Sequence, residues 1–113
     1  MPEKRDLVQG TLDMLILKTL ALEPLHGYGI GIRIGQISKG VFQVNAGSLL
    51  PALHRLERAG LLESGWRETQ NGRRAKYYRI SGAGRKKLKA ETHAWDIQAT
   101  AIARILNTTT EEI

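Results

Sequence analysis

Between Asn45 and Leu62 the chain reads NAGSLLPALHRLERAGLL, a short amphipathic helix that runs straight into a strand, and the rest of the chain must hold or present that unit. Asn45 is a good N-cap, because its side-chain oxygen can accept from a backbone N–H that the first turn of a helix leaves unpaired. The helix therefore starts near Ala46. Leu49, Leu53 and Leu56 recur at i, i+4 and i+7 as a core-facing stripe, while Ser48, His54, Arg55 and Arg58 fall outside it. Gly60 stands where helices commonly close. Ala46, Gly47 and Ser48 keep the start of the helix free of bulk, so its unpaired N–H groups and the positive end of its dipole can approach a phosphate or a base edge. Pro51 has no backbone donor and is tolerable only near the start of a helix. By itself this segment fits an ordinary core helix with a solvated basic face as well as a helix that reads DNA.

The flanking sequence narrows that choice. Leu62–Arg67 and Ala75–Ile80 read as two strands rich in tryptophan, tyrosine and isoleucine, and the Asn71-Gly72 between them is a strong hairpin turn signal. Arg73, Arg74, Lys76 and Arg79 surround Tyr77 and Tyr78 at the tip and on the second strand. A basic-tipped hairpin beside a helix of small and basic residues is the layout of a winged helix-turn-helix, the helix entering the major groove and the wing following the backbone. The alternative for the hairpin is a solubilising surface feature. Val8–Leu22 reads as a helix, with Leu12, Leu15, Ile16, Thr19 and Leu20 on one face and Met14 and Leu17 on another, so it needs two packing partners. Glu23 and Pro24 end it. Met1–Leu7 is expected to be a loose polar arm.

Two further segments differ in how clearly they read. In Leu25–Gln36, Tyr28, Ile30, Ile32 and Ile34 alternate as in a strand, yet Ile30, Ile34 and Ile37 also form a helical stripe, so periodicity leaves both open. Ser81 is an N-cap for a long helix reaching about Leu106. Leu88, Thr92, Trp95, Ala99, Ile102 and Leu106 alternate spacings of four and three along it, a heptad-like seam suited to pairing with another chain. Folding back onto its own domain is the alternative. Asn107–Ile113 reads as a polar tail.

Charge is uneven along the 113 residues. Lys and Arg against Asp and Glu number five to four over residues 1–53, eleven to three over 54–89 and one to four over 90–113, so the net +6 is concentrated in the middle. Such a distribution favours an anionic partner, a nucleic acid above all. There is no cysteine, and His26, His54 and His93 are dispersed, so no thiolate nucleophile, metal site or acid–base cluster is expected, and no enzyme. His26 more naturally caps or packs the second helix. Charged residues precede the first apolar run and no apolar stretch approaches about 18 residues, so the expectation is a soluble, cytoplasmic protein without leader or membrane span.

Several ordered motifs together resemble the PadR-like family of winged-helix transcriptional regulators. They are Gly10-Thr11-Leu12-Asp13, Pro24-Leu25-His26-Gly27-Tyr28, Gly47-Ser48-Leu49-Leu50-Pro51-Ala52-Leu53, Leu56-Glu57-Arg58-Ala59-Gly60-Leu61 and Gly72-Arg73-Arg74-Ala75-Lys76-Tyr77-Tyr78, with Ser81 and Gly84 opening the last helix. The resemblance spans roughly residues 8–106. It implies a mainly α fold with a small β-hairpin (α+β): a winged helix-turn-helix over 1–80, then a C-terminal dimerisation helix and polar tail over 81–113. It makes a helix the preferred reading of 25–36. It also implies a homodimer on a palindromic double-stranded DNA operator. One departure is Leu50, where the family usually has tyrosine; leucine removes a hydroxyl contact and either meets a thymine methyl or only packs.

The residues then take expected roles. Arg73, Arg74 and Lys76, with Arg55 or Arg58, would neutralise phosphates. Asn45, Ala46, Gly47, Ser48, Leu50 and His54 are the candidates for contact in the groove. Leu12, Leu15, Leu88, Trp95, Ile102 and Leu106 are the candidate dimer interface. Some family members bind planar aromatic compounds at that interface, which would make Trp95, with the small Thr92 and Ala99, an effector site; packing of Trp95 in the dimer core is the simpler alternative. No cofactor or metal is expected. The expected function is a homodimeric repressor, and the rival is a winged-helix module for protein association without sequence-specific DNA binding.

Overall fold

The structure, a computed structural model, describes residues 9–112. The expected polar arm over Met1–Leu7, the start of the first helix at Val8 and the terminal Ile113 lie outside them. In order, the elements are α1 (Gln9–Leu22), β1 (Leu25–His26), α2 (Gly27–Ile37), α3 (Ala46–Arg58), β2 (Leu62–Glu68), β3 (Arg74–Ile80) and α4 (Gly82–Leu106), followed by a 3-10 turn over Thr110–Glu112 in the tail.

The core is built where α1, α2, α3 and the sheet meet. Leu12, Ile16, Leu17 and Leu20 of α1 pack with Ile30 and Ile34 of α2, Leu49, Leu53 and Leu56 of α3, and Leu62, Tyr78 and Ile80 of the sheet. Each fully buried aliphatic side chain of this kind stabilises the fold by about 1.5–3 kcal/mol. Leu12, one of the expected interface residues, packs into this core at 6% exposure and offers little surface to another chain. Leu15 and Leu88 are half-buried against the same core.

The structure resolves the open choice as a helix: Tyr28, Ile30, Ile32 and Ile34, whose alternation also fitted a strand, all lie within α2, and only Leu25 and His26 ahead of them form a strand. The His26 side chain caps α2, its Nδ1 accepting from the Gly29 N–H at 3.0 Å. At Gly31 a Cβ would lie at van der Waals contact, 3.4 Å from both Leu49 Cδ2 and the Val44 carbonyl, so this side of α2 faces directly onto α3 and the segment before it. Tertiary packing outweighs the roughly 1 kcal/mol that each helical glycine costs.

The hairpin has the expected turn, with Gly72 at φ +74°, and strands one residue longer than expected at the turn end. It is not a bare hairpin, however. β1 adds to β3 through Leu25↔Tyr78 and His26↔Tyr77, making an antiparallel sheet of order β1-β3-β2. The junction between β3 and α4 is held firmly: the Ser81 N–H donates to the Leu61 carbonyl at 3.0 Å and its Oγ donates to the Gly60 carbonyl at 2.6 Å. Ser81 Oγ also accepts from the Gly84 N–H at 3.0 Å, capping α4. From that anchor α4 runs 25 residues, and the molecule reaches 64 Å in its longest dimension.

Candidate nucleic-acid interface

Helix α3 turns Leu49, Ala52, Leu53 and Leu56 inward and leaves an outer ridge of Gly47, Pro51, His54 and Arg58, all exposed and spaced four, three and four apart. Asn45 caps the helix, its Oδ1 accepting from the Ser48 N–H at 2.9 Å. That bond satisfies one of the free N–H groups and leaves the exposed Asn45 amide nitrogen able to donate to a ligand. Pro51 sits in the second turn, where its missing N–H frees the carbonyl of Gly47 on the exposed side of the helix. Ala46, Gly47, Ser48, Leu50 and His54 are all open, as a groove contact requires. Leu50, 46% exposed, stands at the rim of an apolar groove of about 440 Å³ that includes Tyr28, Ile32 and Val44.

Arg55 does something other than expected. Its Nη2 donates to Asp13 Oδ1 at 2.5 Å, tying α3 to α1 across 42 residues of sequence. Burial pushes the Asp13 carboxyl above its ordinary 3.8 although Arg55 pulls it down. Arg55 is thus held against α1, whereas Arg58 is exposed on the outer ridge and without an ion pair among the described residues.

The wing lies alongside. Ser64 Oγ donates to Glu57 Oε2, and Lys76 Nζ donates to Glu57 Oε1 at 3.4 Å, so the end of α3 is fastened to both strands. The Ser64 hydrogen bond, with Lys76 beside it, holds the Glu57 carboxyl below its ordinary 4.5 against some desolvation. Burial works to lower the Lys76 ammonium, but Tyr78 and Glu57 outweigh it and raise the group above 10.5. Lys76 is therefore half-buried and already paired, whereas Arg73 and Arg74 stand exposed at the tip. The depressed Glu57 value fixes a sign: this anchor stabilises the fold above pH 4.5 and is lost as pH falls through the lower folded value. Wild type is expected to exceed Glu57→Gln by about 1 kcal/mol in urea unfolding near neutrality, after allowance for partial exposure, and by nothing well below pH 4. An advantage that persists unchanged in acid would show that the charge is irrelevant.

The expected dimer and effector residues Thr92, Trp95, Ala99, Ile102 and Leu106 lie on the part of α4 that has left the domain, with Trp95 46% and Leu106 78% exposed. Ile97, exposed on the opposite side of the same helix, and Ile105, exposed beside Ile102, were missed by the single-seam reading. Trp66, 61% exposed on β2, was also missed; the Asn71-Gly72 turn gives the register that sets it opposite Lys76. Among the described residues no cluster of three or more His, Cys, Asp or Glu could hold a metal ion, and no helix is long and apolar enough to cross a membrane.

Comparison with known proteins fits this geometry. Residues 16–90 match the model of the transcriptional regulator PadR-like family, from within α1 to the first third of α4. A transcriptional regulator of Mycobacterium tuberculosis is 33% identical over 90 residues, covering 80% of each chain. Among solved structures, a PadR family transcriptional regulator from Eggerthella lenta superposes with a TM-score of 0.76 at 31% identity, covering 89% of this chain and 86% of that one. A PadR-like transcriptional regulator from Bacillus cereus gives a TM-score of 0.79 at 25% identity, covering 89% and 96%.

Proposed function

Since the chain belongs to the PadR-like family, whose members are transcriptional regulators and not enzymes, we propose that it is a homodimeric repressor that binds a palindromic operator and acts in the cytoplasm. The observation that carries this reading is the outer ridge of α3, small at its N-terminal end and cationic at Arg58, set beside a wing whose tip exposes Arg73 and Arg74. Ala46, Gly47, Ser48, Leu50 and His54 enter the major groove and read base edges, with Asn45 capping the helix beneath them. Arg58, Arg73 and Arg74 neutralise flanking phosphates, Lys76 adding the field of a partly buried cation. Arg55 contributes by orienting α3 through Asp13.

Pairing of α4 with its copy covers Trp95, Ile102 and Leu106 and sets two α3 helices about one DNA turn apart. A planar aromatic effector stacking on Trp95 in the gap left by Thr92 and Ala99 would change that spacing and release DNA. Occupation of the promoter suffices for repression.

The test is fluorescence anisotropy on duplex DNA from upstream of the protein's own gene, with scrambled DNA as competitor. Binding that resists the scrambled competitor, and that planar aromatic compounds reverse in wild type but not in Trp95→Ala, is the expected result. Binding lost equally to any competitor would remove the operator reading, and no binding at all would favour a protein partner for the same surface.

A further inference from the structure

The wing carries a feature that phosphate neutralisation alone does not use. Strand register puts Leu62 and Ile80, Ser64 and Tyr78, Trp66 and Lys76, and Glu68 and Arg74 opposite one another, and directly opposed residues of an antiparallel pair share a face. This is the face turned towards α3, because Ser64 and Lys76 on it both reach Glu57. Near the core it is covered; farther out it opens, and there stands the indole of Trp66. The Arg74 guanidinium carbon lies 5.6 Å from the centre of that ring.

The choice of partner is informative. Arg33, Arg55 and Arg79 each pair with a carboxylate, on Glu23, Asp13 and Glu63. Arg74 has Glu68 directly across the strand yet forms no ion pair with it among the described residues, and its guanidinium lies over the indole instead. A cation held over an aromatic face is attracted by the ring while keeping its full charge for another partner. The result is an unpaired cation beside an exposed apolar ring, both on the side of the wing that faces α3.

From this we infer that Trp66 and Arg74 form a clamp for the sugar–phosphate backbone, the indole packing on deoxyribose and the guanidinium binding the adjoining phosphate of a strand lying between α3 and the wing. The inference rests on the DNA-binding reading above and adds to it a subsite whose chemistry is indifferent to base sequence. It therefore raises affinity on every duplex and leaves discrimination to α3.

Because the clamp ignores sequence, a random duplex of about 30 base pairs at low salt is a sufficient probe, with binding followed independently by anisotropy of the labelled DNA. The protein has two tryptophans, so ¹⁵N-labelled wild type gives two indole N–H signals, and the one absent from Trp66→Phe is Trp66. Saturation with the duplex is expected to cut the relaxation that an uncharged, water-soluble paramagnetic agent imposes on the Trp66 signal by about half or more. Trp66→Ala is expected to weaken binding about tenfold, with Trp66→Phe restoring most of it. Arg74→Ala is expected to lower the salt slope by about one per protomer. A Trp66 signal equally accessible with the DNA bound, or Trp66→Ala binding as wild type does, would overturn the clamp while leaving DNA binding in place. Failure of wild type to bind any duplex would overturn the DNA-binding reading and the clamp together.

Discussion

Gly84→Ala is expected to destabilise the protein by about 3 kcal/mol, at the upper end of what overpacking usually costs. Intrinsic propensity points the other way, since alanine in a helix is favoured over glycine by about 1 kcal/mol. The reversal comes from the anchor of α4. A Cβ on Gly84 would press into the Leu61 carbonyl oxygen and Ile80 Cγ1, well inside contact distance. Neither neighbour can yield cheaply: the Leu61 carbonyl accepts from the Ser81 N–H at 3.0 Å, and Ile80 is part of the core. The first turn of α4 would have to lift off β3, loosening the Ser81 cap. Gly82, two residues earlier, has nothing within 4 Å of its would-be Cβ and serves as the control. Urea denaturation should show Gly82→Ala unchanged or slightly stabilised and Gly84→Ala with a clearly lower midpoint; equal midpoints would mean that the close approach is not there.

DNA affinity is expected to fall about a thousandfold between 50 and 200 mM salt. Arg58, Arg73 and Arg74 supply three exposed cations per protomer, hence six in a dimer, and six phosphate contacts give a loss of about that size as counterions are released. Arg73→Ala should reduce the slope by about two for the dimer while leaving preference for the operator over scrambled DNA intact. Arg55→Ala should behave differently, lowering stability because Asp13 loses its partner. Affinity that barely responds to salt would argue for an apolar partner, against a phosphate backbone.

Local signals carried most of the architecture. Asn45 and Ser81 cap the helices they were expected to cap, and the hairpin turns where Asn71-Gly72 marks it, with Gly72 at φ +74°. Each depends on side-chain and backbone atoms no more than a few residues apart, so the chemistry that acts in the fold is already present in the neighbouring letters. The leucine stripe of α3 is legible for a similar reason, because helical period alone decides which residues share a face.

What lay beyond reach depends on residues distant in the chain. Arg55 and Arg58 are equivalent on paper, both basic and both off the leucine stripe; they part company because Asp13 arrives beside one and not the other. Lys76 is a free cation until Glu57 and Tyr78 surround it. Leu12 suits an interface or a core equally until α1 is placed, and α2 is ambiguous until α3 closes on Gly31. Sequence by itself therefore determined α1, α3, α4, the hairpin and the caps of α3 and α4, since those follow from short-range hydrogen bonding and periodicity, whereas β1 and the helical form of α2 do not. Only the tertiary structure decided which cations remain unpaired, which leucines are already covered and that Arg74 lies over Trp66, because pairing and burial are properties of surfaces brought together across the fold.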